Sequence, residues 1–206
     1  MRPEELAARD PRAGRIIFTD GSKIQDEVGA GYVIPVRPWH PEHFESTDDL
    51  LFPGRMMKVA GPQTVNRAEM TAILAALQDV GDGTDCSIYT DSKVSIQNIK
   101  RWAADPNLLN RDKHEDVLRD IAHRLAARTG HTRILKIMAH KGHPGNEAAD
   151  RIAKMAAETE EGISNQRRGT YEAGRATAKT LYMEGECLTD LKKQLRPKMQ
   201  QWAAEQ

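Results

Sequence analysis

The chain has 206 residues, 39% hydrophobic and 29% charged, which supplies the core of one ordinary domain plus an appendage and excludes disorder throughout. Thirty Lys and Arg balance thirty Asp and Glu, so this is not the strongly basic body of a non-specific nucleic-acid binder. No apolar run nears the roughly 20 residues of a membrane span, the charged start MRPEELAARDPRAGR lacks a signal peptide's apolar stretch, and Cys86 and Cys187 form no CxxC pair; the expectation is an intracellular protein, cytoplasmic or nuclear, without a disulfide framework.

Residues 1–14 read as an N-terminal arm. RIIFTD at 15–20 is a short apolar run that predicts a buried strand with Asp20 at its carboxyl end and a turn at Gly21-Ser22. GAGYVIPV at 29–36 and RMMKV at 55–59 predict two further strands, separated by a long loop containing PWHPEHFESTDD. Met70, Ile73, Leu74, Leu77 and Val80 recur at three and four, the stripe of a helix over 67–80 with Glu69 in its first turn. CSIYTD at 86–91 is a second strand ending in an acid, Asp91. A helix follows from Val94 to Trp102 and stops near Asp105-Pro106. Val117, Leu118, Ile121 and Leu125 mark the next helix, and ILKIM at 134–138 the last strand. Beyond the turn HKGHPG, Asn146 is expected to cap a helix that packs Ala149, Ile152, Ala153 and Ala156 inward and carries Asp150 in its first two turns. Residues 158–206 hold few apolar positions and eight Lys and Arg against eight Asp and Glu, which predicts a partly helical tail without a core of its own. Within it Leu181, Tyr182, Leu188, Leu191 and Leu195 are loosely spaced at three and four.

Two parallel neighbouring strands that each end in an acid set those carboxylates side by side at the carboxyl edge of a sheet, where open α/β folds place their sites. Asp20 and Asp91 fit this, and Glu69 and Asp150, near helix starts, lean over the same edge. Four clustered carboxylates repel unless cations fill the site. Mg²⁺ suits such hard oxygen donors, and two ions roughly 3.5–4 Å apart clamp the attacking and leaving oxygens of a phosphodiester displacement. Residues 98–143 contain ten Lys and Arg against five acids and five of the seven histidines, so a regional basic excess lies beside the acids. A GAG near residue 30 lacks the third glycine and the strand-to-helix setting of a nucleotide fingerprint.

The blocks TDGS at 19–22, NRAE at 66–69, YTDS at 89–92 and GNEAAD at 145–150 together resemble type 1 ribonuclease H over about residues 15–157. The resemblance implies an α/β ribonuclease H-like fold, a mixed five-stranded sheet of order 3-2-1-4-5 flanked by helices. It implies an endoribonuclease that hydrolyses the RNA strand of an RNA–DNA hybrid through two Mg²⁺ ions, with Mn²⁺ as a substitute, leaving 3′-hydroxyl and 5′-phosphate ends. Asp20, Glu69, Asp91 and Asp150 match the metal-binding carboxylates, and His140 matches a mobile histidine that helps proton transfer or product release. A zinc pair of His140 and His143 is the competing reading, without a Cys or third His to complete it. Gly21, Ser22 and Asn66 match positions facing the hybrid's minor groove, where the 2′-hydroxyl tells RNA from DNA. Thr64 matches a residue that helps hold a DNA phosphate, and Trp102 an aromatic lining the DNA channel, core burial being its alternative. Lys100, Arg101 and the rest of the basic region would hold the uncut strand. Val65 stands where cellular enzymes commonly carry an amide. The runs IKRWAADPNLLNRDKHEDVLRDIAHRL and LTDLKKQLRPKMQQWAAE are more like the ribonuclease H domains of non-LTR retrotransposon polyproteins, which makes other domains of a reverse-transcriptase polyprotein candidate partners. A non-catalytic hybrid-binding scaffold and a DDE-type transposase or integrase remain the other two readings.

Overall fold

The computed structural model describes residues 14–35, 52–104, 113–139, 141, 143–159, 181–183 and 186–188. The arm before Gly14, the long loop around PWHPEHFESTDD, residues 105–112 and His140 lie outside the described residues.

Strand β1 (Arg15–Ile24) pairs antiparallel with β2 (Glu27–Val33), which pairs antiparallel with β3 (Gly54–Lys58). On its other side β1 runs parallel to β4 (Cys86–Thr90), and β4 parallel to β5 (Thr132–Lys136). These five strands have the expected order 3-2-1-4-5. β1 does not turn at Gly21-Ser22 as expected. Its pairing continues from Gly21 opposite Ala30 to Ile24 opposite Glu27, and the chain reverses at Gln25-Asp26, with Gln25 at φ +54°.

The sheet's two faces follow from the two-residue alternation of its strands. Ile17, Ile88 and Ile134, in register across β1, β4 and β5, point into a core formed with helices α1 (Val65–Asp79), α2 (Lys93–Ala104) and α3 (Glu115–Ala127). Phe18, Tyr89 and Leu135, one residue along, face the opposite side and pack with Ala148, Ala149 and Ile152 of helix α4 (Pro144–Glu158). The Phe18 and Tyr89 rings stack with centroids 5.3 Å apart. Helix α1 is buried without a break from Arg67 to Leu77, so it is a core helix, enclosed on more sides than the apolar stripe of its periodicity requires. Helix α4 lies directly on β2: a Cβ on Gly31 would stand 2.8 Å from the Ala153 nitrogen. Glycine on the strand and alanine on the helix thus set the close approach that brings Asp150 to the sheet edge.

Two expectations need correction. Helix α4 begins at Pro144, with His143 at the N-cap making no side-chain cap bond, so Asn146 is inside the first turn, 4% exposed, and does not cap. Proline's fixed φ pre-forms the first helical residue and moves the start upstream. The tail is not helical where it is described: β6 (Leu181–Met183) pairs parallel with β5, and β7 (Glu186–Leu188) antiparallel with β6, extending the sheet to seven strands among the described residues. The β5 edge otherwise presents unpaired backbone groups, and a short hairpin satisfies them.

Candidate active site

Thr19 pairs with Thr90 as the last register pair of β1 and β4, so Asp20 and Asp91 follow side by side at the carboxyl edge. Asp20 is 7% exposed and Asp91 half-buried. Glu69, 5% exposed, reaches the same point from α1, one residue beyond the first helical turn, which holds no acid. Gly21 makes this possible: a Cβ there would stand 2.4 Å from the Glu69 backbone nitrogen, so only glycine lets α1 close on β1. The Gly21 N–H donates to Asp20 Oδ1 at 2.7 Å.

Among the described residues, Asp20, Glu69 and Asp91 each offer a carboxylate oxygen, all within 4.8 Å of one another. Burial, then the charge of Asp91, pushes the Asp20 carboxyl well above its ordinary range; burial, then the charge of Asp20, pushes Glu69 further still. A proton shared between buried acids is one answer to this repulsion. A divalent cation is the other, and three hard oxygens converging on one point fit it. Asp150, on α4, is near enough for its charge to raise Asp20 but does not join the trio; its Oδ2 accepts a 2.7 Å hydrogen bond from Lys154 Nζ.

The remaining predicted residues divide. Thr64 is the N-cap of α1, its Oγ1 accepting from the Arg67 N–H at 3.2 Å, and Asn66 lies half-buried at the second helical position. Gly21 and Ser22 are half-buried beside Asp20, and Val65 is 42% exposed. Lys100 is half-buried and Arg101 exposed in the last turns of α2. Trp102 is a correction: it is 2% exposed in the core under α1 to α3 and lines no open channel. Its helix stripe with Ile96 and Ile99 turns it inward, while Arg101 faces solvent.

Sequence reasoning missed three supporting groups. The buried Thr90 hydroxyl donates to Glu69 Oε2 at 3.5 Å and accepts from the Ser92 N–H at 3.2 Å, linking the Glu69 carboxyl to the turn that carries Asp91. Lys136 Nζ donates to the Asp91 carbonyl at 3.2 Å. Lys154 bonds Asp150. The four-residue spacing of Asp150 and Lys154 was legible on one helix; the Lys136 contact crosses two strands and left no sequence signal.

The ribonuclease H family model matches residues 12–158. The chain is similar to a protein named ribonuclease H from Baumannia cicadellinicola, 30% identical over 156 residues that cover 69% of this chain and 89% of that protein. It is also similar to a ribonuclease H from Vibrio campbellii, 30% identical over 157 residues, covering 73% and 95%. Among solved structures it is similar to LC9-RNase H1, described as a type 1 RNase H with the type 2 active-site motif, with a TM-score of 0.52, 18% identity, and 69% and 71% of the two chains covered.

Proposed function

Given that this chain belongs to the ribonuclease H family, we propose that Asp20, Glu69, Asp91 and Asp150 are the metal ligands with which it hydrolyses the RNA strand of an RNA–DNA hybrid. The activity is that of a metal-dependent endonuclease. The observation that carries the residue assignment is the convergence of three carboxylate oxygens within 4.8 Å at the sheet edge, two of them on nearly inaccessible side chains. Such a cluster only costs stability unless cations neutralise it, so its retention favours a working site over a non-catalytic scaffold. Two Mg²⁺ ions, with Mn²⁺ as a substitute, supply when bound an activated water and charge neutralisation for an in-line displacement that leaves 3′-hydroxyl and 5′-phosphate ends.

The chain's own groups do the positioning. Asp20, within β1 just past its last pair with β4, and Asp91, just after β4, present oxygens side by side, Glu69 closes over them from α1, and the Thr90 hydroxyl ties Glu69 to the Asp91 turn. His140, ten residues before Asp150, is the group that moves a proton or speeds product release, a task suited to an imidazole, which can both take and give a proton. The backbone at Gly21 and Ser22 and the Asn66 amide read the 2′-hydroxyl from the minor groove, Thr64 helps hold a DNA phosphate, and Lys100 and Arg101 hold the uncut strand by charge. Residues 15–157 form the ribonuclease H domain between the 1–14 arm and the 158–206 tail. The likeness of IKRWAADPNLLNRDKHEDVLRDIAHRL and of the tail to non-LTR retrotransposon sequences supports a polyprotein setting, with reverse-transcriptase domains as partners.

One gel tests the reading. Labelled RNA–DNA hybrid, duplex RNA and duplex DNA are incubated with Mg²⁺ or with EDTA. The expected result is cutting of the RNA in the hybrid with Mg²⁺ alone. Binding without cutting would establish the scaffold reading, and strand transfer or nicking of duplex DNA the transposase one.

A further inference from the structure

Asp150 differs from the other three acids in having, among the described residues, a cationic side chain bonded to its carboxylate. Lys154 Nζ donates to Asp150 Oδ2 at 2.7 Å. The two stand four residues apart on α4, where side chains leave the helix on one face. That helix is fixed against the sheet by Ala149, Ala153, Ala156 and Ala157, all buried, so the pair cannot separate by a shift of the backbone. The Asp150 side chain is 25% exposed and that of Lys154 50%, which leaves the ammonium open to exchange with ions from solvent. The charges of Asp20 and of Glu158 act on the same ammonium, so Lys154 lies within reach of one acid of the trio as well as of Asp150.

We propose that Lys154 is the resident counter-ion of the fourth carboxylate and competes with the second divalent cation, so that it sets the cation concentration at which the site fills. This rests on the reading of Asp150 as a metal ligand. The sign follows from charge and geometry. An ammonium on Asp150 Oδ2 takes up one of that carboxylate's acceptor sites and repels an incoming cation; removing the ammonium relieves both effects, whereas arginine keeps them. Lys154 is then a positioning residue that acts through Asp150, and it tunes metal demand without touching the reacting phosphate.

The test uses the full chain as wild type, Lys154→Met, Lys154→Arg and Asp150→Asn. Mn²⁺ is titrated calorimetrically into each free protein, and the Mg²⁺ concentration for half-maximal hybrid cleavage is measured beside it. Lys154→Met is expected to tighten the weaker Mn²⁺ binding about threefold to tenfold and to lower the Mg²⁺ midpoint by a similar factor, the scale of a half-exposed charge pair. Lys154→Arg should behave as wild type, and Asp150→Asn should lose the weaker binding. Unchanged or weakened Mn²⁺ binding in Lys154→Met, with Asp150→Asn impaired, overturns the counter-ion role and leaves the ligand assignment standing. Wild-type Mn²⁺ binding in Asp150→Asn overturns that assignment and the proposal together. Absence of hybrid cleavage by the wild type sinks the functional reading while the Mn²⁺ titrations still decide the role of Lys154. Unfolding temperatures in EDTA keep misfolding apart from the effect sought: Lys154→Met should melt within about 3 °C of wild type.

Discussion

At the amino end of β4, Arg128 is 1% exposed and gives its donors to neutral acceptors: Nε to Thr132 Oγ1 at 2.8 Å, Nη1 to the Gly81 carbonyl at 3.0 Å, and Nη2 to the Thr84 carbonyl and to Cys86 Sγ. At the carboxyl end of the same strand, Asp20, Glu69 and Asp91 crowd their oxygens together, and burial with mutual charge raises two of these carboxyls well above their ordinary range. Both ends bury charge. One is satisfied by the protein itself, the other is left for something outside the protein to satisfy. Buried polar groups that find all their partners specify a fold, whereas a local arrangement that opposes stability marks the place where a ligand completes the structure.

The sharpest way to break this comparison is to remove one charge from each end. Asp20→Asn or Asp91→Asn takes away a metal-holding charge at nearly constant size and should lower hybrid cleavage by about 10²-fold or more at saturating Mg²⁺. The melting temperature in EDTA should hold or rise, because repulsion is relieved. Retention of more than a few per cent of wild-type rate would show that the acids are not the metal site. Arg128→Met should do the reverse. It strands the Gly81 and Thr84 carbonyls and the Thr132 hydroxyl, at a cost of about 3 kcal/mol. For a chain of this size that lowers the melting temperature by about 6–12 °C. Turnover well below the melting temperature should match wild type, and a kinetic defect there would mean that the two ends are coupled.

These contrasts were unequally legible in the sequence. The acids were readable because each falls near a predictable joint: Asp20 and Asp91 where the parallel pairing of β1 and β4 stops, although β1 itself runs on to Ile24, and Glu69 and Asp150 near helix starts. Arg128 had no such marker. It follows α3 directly, and the oxygens it binds come from residues more than forty positions earlier as well as from Thr132. Trp102 was ambiguous because a helix carrying Ile96 and Ile99 at three-residue steps buries the next position whichever strand of a substrate runs nearby. The hairpin of β6 and β7 was hidden by length: strands of three residues, LYM and ECL, are too short for periodicity, and the glycine between them, the stronger cue, was outweighed by spacing that mimicked a helix. His140 is legible in the sequence alone, and its place lies outside the described residues.

A gentler probe changes pH and metal in place of residues. A carboxyl whose folded pKa is raised keeps its proton at pH values where the unfolded chain has released it, so stability falls as pH rises through that window. For Asp20 the window runs from 3.8 to about 7, and for Glu69 from 4.5 to beyond neutrality. In EDTA the melting temperature should therefore decline between about pH 5 and pH 8, and Mg²⁺, by replacing the protons, should flatten the decline. Asp20→Asn should flatten it without metal. Arg128→Met should shift the curve down with little change of slope, since the guanidinium it removes keeps its charge across that range. A slope indifferent to Mg²⁺ would mean that the cation and the protons do not share a site.

The smallest effect is expected from the tail. β6 pairs with β5 at Thr132, Arg133 and Ile134, the half of that strand that abuts Arg128, while Lys136 at its other end faces the Asp91 turn. Removing residues 160–206 thus strips a three-residue ladder from the satisfied end of the sheet and leaves the acidic end with every contact described for it. Exposing one edge of three residues costs about 1–2 kcal/mol in backbone hydrogen bonds, or roughly 2–8 °C of melting temperature. Hybrid turnover should stay within about twofold of the full chain, because the family match ends at residue 158 and α4 closes the core before the cut. Gel filtration supplies the second readout: a bare β5 edge invites strand-to-strand association, so the shortened protein should show more dimer at high concentration than the full chain. A fall in turnover without a fall in melting temperature would place the tail in the work of the site, and the division of labour along β4 would then extend beyond the sheet that displays it.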